Sequence, residues 1–139
     1  MEKASFMRRF AAQAFDGFVA NMMAGIAGMI VGYVYGAGGT ENAVTINIIA
    51  GIIGLFIGWI YYIEVPVNTN GQTLGKRVFS IRIVKENGTP INRWTMFGRE
   101  FIGKFISTIL LGIGYLIALG NSRQALHDRM VNTIVTKEN

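Results

Sequence analysis

The chain has no cysteine, one histidine (His127) and two prolines in 139 residues, and each absence removes a class of chemistry. Without cysteine there are no disulfides, thiolate metal sites or thiol nucleophiles, and the redox compartment is left open. One histidine cannot by itself build a histidine metal cluster. Charge is scarce too, 15% against 51% hydrophobic residues, a balance unlike that of a soluble domain of this size. No Ser-His-Asp set, pair of catalytic carboxylates or cluster of metal ligands stands out. The sequence therefore argues against an enzyme and calls for no cofactor or metal.

What the chain does have is apolar residues and glycine. A mean hydropathy of +0.39 and 18 glycines describe one membrane domain of closely packed helices. Three apolar runs cover residues 10–36, 44–63 and 105–120. About 20 residues cross a hydrocarbon core of roughly 30 Å, so the first two are spans and the third is short for one. The basic start and Ala12-Gln13-Ala14 could suggest a secretory signal. The apolar run continues far past that triplet and exceeds the roughly 7–15 residues of a signal's core, which excludes the reading.

The net charge of +5 does not describe a nucleic-acid surface. Lys3, Arg8 and Arg9 precede the first span, and Lys76, Arg77, Arg82, Lys85, Arg93, Arg99 and Lys104 follow the second. The link between the two spans holds Glu41 and no basic residue. That is the positive-inside pattern of a cell-membrane protein with its N-terminus and the 64–92 loop in the cytoplasm. If the third run crosses once, Arg123, Asp128, Arg129 and Lys137 end outside, against the charge rule. If it folds back at Gly112-Ile113-Gly114 they return to the cytoplasm, which the rule favours.

The two spans repeat one another at an offset of 26 residues, with seven of fifteen positions identical between 21–35 and 47–61. Both copies carry Asn-x3-Gly-x2-Gly-x3-Gly: Asn21, Gly25, Gly28 and Gly32, then Asn47, Gly51, Gly54 and Gly58. At about 100° per residue each set lies on one narrow helix face. The pairs Asn21/Gly58, Gly25/Gly54, Gly28/Gly51 and Gly32/Asn47 all centre on Gly39-Thr40. This predicts an antiparallel hairpin with the stripes face to face and the asparagines bonding between helices; a homodimer through the same stripes is the competing use.

After the second span, Val78–Lys85 has strand composition and leads to a turn at Asn87-Gly88, with the tract from Ile91 expected to pair back as a small hairpin. Gly71-Gln72-Thr73-Leu74-Gly75-Lys76-Arg77 superficially resembles a phosphate-binding loop. Only three residues separate the glycines, Arg77 stands where a magnesium-binding hydroxyl belongs, and no helix is expected to follow. Residues 93–107 read as an interfacial amphipathic helix. Trp94, Phe97, Phe101 and Phe105 lie on one face and Arg93, Glu100 and Lys104 on another, with Glu100 and Lys104 spaced as a pair.

Asp16 is the residue most in need of explanation, because an ionised carboxylate inside an apolar run is costly unless paired or hydrated. It lies two turns above Arg9, on a face roughly 150° from the glycine stripe. It is either an ion-coupled group or half of a structural salt bridge to Arg8, Arg9 or a C-terminal arginine. Tyr33, Tyr35, Trp59, Tyr61 and Tyr62 suit the aromatic belts of the two membrane faces. His127, flanked by Asp128 and Arg129, is a candidate proton relay or a plain surface residue.

Three ordered motifs carry a family resemblance: Phe6-Met7-Arg8-Arg9-Phe10 with Asp16; Gly71-Gln72-Thr73-Leu74-Gly75-Lys76-Arg77 with Ile81-Arg82-Ile83-Val84; and Gln124-Ala125-Leu126-His127-Asp128-Arg129 with Thr133-Ile134-Val135. Together they resemble the RDD family of small prokaryotic membrane proteins. The resemblance implies a helical membrane domain with three transmembrane segments. Its name-giving Arg and two Asp residues fall on Arg9, Asp16 and Asp128. It also implies transport of a small cation or proton, which has been suggested for some members. A single Arg9-Asp16-Asp128 cluster, joined by His127 and Arg129, would put Asp128 on the side of Arg9. The leading expectation is a transporter using Asp16, which would need an oligomer for its pathway; the alternative is a non-transporting scaffold or interaction module locked by those charges.

Overall fold

The computed structural model describes residues 2–39, 42–109, 124 and 126–138. Helix α1 runs over Phe6–Ala37, started by Ser5, whose hydroxyl accepts from the Arg8 N–H at 3.4 Å. It ends at Gly38 and Gly39, the latter at φ 75°, a backbone state that glycine adopts without strain. Asn42 then caps helix α2, Ala43–Trp59, by accepting from the Val44 and Thr45 amides. A π-helical turn at Ile60–Glu64 and helix α3, Val65–Asn68, continue α2 without a break. Phe6–Ala37 and Ala43–Asn68 are both long and apolar enough to cross a membrane, and α1 packs against α2. The connecting turn lies where the repeat centred it.

The remaining described residues gather at the far end of this hairpin. Helix α4, Leu74–Val78, leads into strand β1, Ile81–Lys85. Asn92 caps helix α5, Arg93–Phe97, by accepting from Thr95, and a second π-helical turn, Gly98–Gly103, carries on into helix α6, Lys104–Ile109. Helix α7, Leu126–Met130, precedes strand β2, Thr133–Lys137. The core beneath the hairpin is Ala4, Ala12, Ile63, Ile81, Ile83, Ile91, Met96 and Val135, with Trp59, Val67, Phe79 and Phe97 against it.

The expected helical class with a small sheet is what the structure shows, but the partner strand is different. β1 pairs antiparallel with β2, from Ile81 opposite Lys137 to Lys85 opposite Thr133. The N-terminal segment flanks the other side of β2: Lys3 bridges Thr136, and Ala4 donates to the Val135 carbonyl at 2.8 Å. The β-branched run Thr133-Ile134-Val135-Thr136 is the better strand former. It sets Val135 beside Ile83, while Ile91 is drawn into the core. The 93–107 helix begins where expected, but its π-helical turn shifts the faces. Glu100 there pairs with Arg99, and the side chain of Lys104, its expected partner, lies outside the described residues.

The glycine stripes do not meet. A Cβ built on Gly25, Gly28, Gly32, Gly51, Gly54 or Gly58 would touch no atom within 4 Å among the described residues. Asn21 is exposed and donates to the Gly17 carbonyl of its own helix at 2.7 Å, and Asn47 is exposed. The reason lies in the rotation of α1. Asp16 is buried, and the row in line with it, Ala20, Ala24, Ala27 and Val31, is buried or half-buried, all within about 80° of Asp16 around the helix; Gly28 and Gly32 are half-buried beside that row and Gly25 is exposed. Turning that face inward moves the glycine stripe to its flank. On α2 the half-buried positions include Ile46, Ile49, Ile53 and Ile57, with Gly54 and Gly58 next to them and Asn47 and Gly51 exposed. The sequence symmetry sets the level of each pair along the axis and leaves the rotation free.

α7 packs on the second π-helical turn and on α6, so the elements on either side of residues 110–123 lie together at this end. Whether the third apolar run crosses or folds back at Gly112–Gly114 falls outside the described residues.

Candidate functional site

Two buried carboxylates organise this end of the molecule, and each is reached by a π-helical turn. Asp16, 1% exposed, is held on both oxygens. Tyr61 Oη, from the first π-helical turn, and the Gly75 amide each donate to Oδ1 at 2.7 Å. Thr73 Oγ1 donates to Oδ2, and Lys76 Nζ lies 3.4 Å from Oδ2 and 3.3 Å from Thr73 Oγ1. Lys76 is itself buried, so the pair places no unmatched charge in low dielectric. The extra residue in a π-turn re-aims side chains relative to an α-helix, and here Tyr61 faces Asp16.

Two glycines make that cradle possible. Gly71 has φ 85°, and a Cβ on it would overlap the Ile83 carbonyl oxygen. A Cβ on Gly75 would overlap the Ala12 carbonyl oxygen and lie 2.8 Å from the Asp16 carboxyl carbon. The Gly71–Arg77 stretch is thus an anion-binding loop after all, with the short helix α4 beginning inside it at Leu74 and strand β1, not a helix, following it. The anion it holds is a side chain of the same protein.

Asp128, fully buried, has different partners. Arg9 Nη2 bonds to its Oδ2, and Arg99 Nε donates to Oδ1 at 2.8 Å. Arg99, on the second π-helical turn, also bonds to Glu100 through Nη1. Two guanidinium groups thus face two carboxylates. Burial pulls the Arg99 pKa down, but Asp128 and Glu100 outweigh it and hold the group above its ordinary value. The Thr133 hydroxyl donates to the Asp128 carbonyl at 3.3 Å and ties the site to β2.

Arg9, Asp16 and Asp128 therefore do not form one cluster. Seven residues separate Arg9 from Asp16, about 10.5 Å along the helix, so α1 carries two sites stacked at different levels. Arg9 bonds Asp128, and Asp16 is bound by the loop after the second span. Arg129 is exposed, and the side chain of His127 lies outside the described residues. Reading the sequence missed Tyr61, Thr73, Gly75 and Lys76 as partners of Asp16, and Arg99 and Glu100 as partners of Asp128. The signal for the first group was the Gly71–Arg77 motif, set aside on its poor match to a nucleotide loop. Tyr61 was masked by its suitability for the aromatic belt. Among the described residues no group of three His, Asp or Glu side chains could hold a metal ion.

The sequence profile of the RDD family matches residues 3–132. YckC of Bacillus subtilis (strain 168), named an uncharacterized protein, is 35% identical over 79 residues, 53% of this chain and 52% of YckC. YteJ of the same organism, named an uncharacterized membrane protein, is 32% identical over 68 residues, 48% of this chain and 41% of YteJ. The chain matches about half the length of these relatives. No solved structure matches.

Proposed function

This chain belongs to the RDD family of membrane proteins, and from that premise we propose that its Arg and two Asp residues are structural locks of a non-transporting membrane scaffold. Each lock fastens α1 to chain that lies far away in sequence. Asp16 holds the loop following the second span, and Asp128 holds the C-terminal helix and strand to Arg9. The supporting observation is the enclosure of Asp16. Both oxygens already accept from donors, including a backbone amide that cannot swing away, and Lys76 balances the charge. An ion carrier needs a carboxylate whose coordination can be exchanged.

A second reading, transport of a proton or small cation, draws on Lys76 and Asp16. They are two titratable groups 3.4 Å apart beside the hydroxyls of Tyr61 and Thr73, a chain of groups through which a proton could pass. We place the two loci on the cytoplasmic side of a prokaryotic cell membrane, following the basic residues around them. Proteoliposomes separate the readings. The lock predicts no cation-dependent proton flux in the wild type and a large loss of stability in Asp16→Asn. A wild-type flux that Asp16→Asn abolishes would replace the scaffold with the transporter.

A further inference from the structure

Helix α4 has one face committed to α1 and one face with no cover among the described residues. Gly75 and Lys76 turn inward onto Ala12 and Asp16, whereas Leu74, Arg77 and Val78 are exposed. Its depth follows from those inward contacts. α4 sits at the level of Ala12 to Asp16 on α1 and of Tyr61 at the end of the second span. On the N-terminal side of that level, about 3 to 8 Å further along the helix, Phe10 and Met7 are still 60% and 69% exposed. A bilayer surface that covers Phe10 lies beyond α4 and therefore covers Leu74 and Val78, 49% and 63% exposed.

A third segment shows the same pattern at this level. Arg93 bonds Glu64 at 2.6 Å, and the Phe97 ring packs tilted against Trp59 at 5.5 Å between ring centres, which ties α5 to the end of the second span. There Trp94 is 78% exposed. Three stretches far apart in sequence thus each present large apolar side chains beside an exposed arginine: Met7 and Phe10 with Arg8, Leu74 and Val78 with Arg77, and Trp94 with Arg93. Apolar groups facing out at one level with arginines able to snorkel describe a membrane interface. The surface is continuous with that of the spans, which also expose apolar side chains along their length.

We propose that the segment between the second span and β1 returns to the bilayer, seating Leu74 and Val78 of α4 against the outer acyl-chain carbons with Arg77 at the lipid phosphates. On this reading the 64–92 stretch is not wholly an aqueous loop. α4 is an interfacial wedge, and its lipid-facing side presses the inward side onto Asp16.

The absence of native cysteine makes the test direct. Nitroxide labels are placed singly on the full chain at Leu74→Cys, Arg77→Cys, Val78→Cys and, as an aqueous control, Asn87→Cys, and the protein is reconstituted into phosphatidylglycerol-containing vesicles. Collision rates with oxygen, which concentrates in lipid, and with a water-soluble nickel complex then report depth. The expected oxygen-to-nickel ratio is severalfold higher at 74 and 78 than at 87, with 77 in between. Nickel access at 74 and 78 equal to that at 87 would overturn the proposal by placing α4 in water. Low access to both reagents would overturn it by showing a protein cover, whether the 105–120 run, a second copy or another chain.

Discussion

Replacing Gly75 with alanine tests the Asp16 lock without touching any charged group. The added Cβ would overlap the Ala12 carbonyl oxygen and stand 2.8 Å from the Asp16 carboxyl carbon, where ordinary contact needs about 3.4 Å or more. The tighter contact, 2.3 Å to the Ala12 oxygen, sets the displacement: α4 must retreat from α1 by about 1 Å, which carries the 2.7 Å Gly75 amide bond beyond good hydrogen-bond geometry. A hydrogen bond to a charged group contributes about 1.5–3 kcal/mol. Thr73 and Lys76 move with the same short helix, so the whole loss approaches the roughly 3–5 kcal/mol of breaking a buried ion pair. Gly28→Ala is the matched control, since its Cβ meets nothing among the described residues. It should be neutral or gain up to about 1 kcal/mol from helix propensity. Thermal unfolding in lipid nanodiscs, followed by circular dichroism, gives the stabilities, and amide exchange over residues 72–79 gives the local effect. The reasoning is refuted if Gly75→Ala melts with the wild type and exchange at 72–79 is unchanged, or if Gly28→Ala is equally damaging.

Other outcomes follow from the same geometry. Tyr61→Phe removes one donor from Asp16 without changing shape and should cost about 1–3 kcal/mol, read as a lowered melting temperature with helix content retained. Asp128→Asn leaves Arg9 and Arg99 without their shared carboxylate and should cost about 3–5 kcal/mol. Adding Arg9→Gln should cost much less than the sum of the two single changes, because the groups act as one unit, and a double-mutant cycle on unfolding free energy measures this. Gly71→Ala combines a positive φ with overlap on the Ile83 carbonyl. It should speed exchange of the Ile83 amide, which now donates to Gly71 at 2.9 Å; unchanged exchange would show that the loop accommodates a side chain.

The sequence by itself determined what depends on neighbours along the chain. Apolar runs longer than the bilayer is thick set two spans. The repeat centred their turn on Gly39-Thr40, the aromatic and charged faces of 93–107 marked a helix, and a carboxylate at position 16 demanded a partner. What the tertiary structure decided is which partner. Asp16 meets Tyr61 and Gly75 across 45 and 59 residues, and Arg9 meets Asp128 across 119. Periodicity tells which residues share a helix face but not which way that face turns. On α1 the inward face is that of Asp16, and the more conspicuous glycine stripe lies to its flank, meeting no atom of the described residues. The loop rejected as a phosphate site illustrates the same limit. Its residues are those of an anion cradle, and only the fold shows that the anion comes from the protein itself.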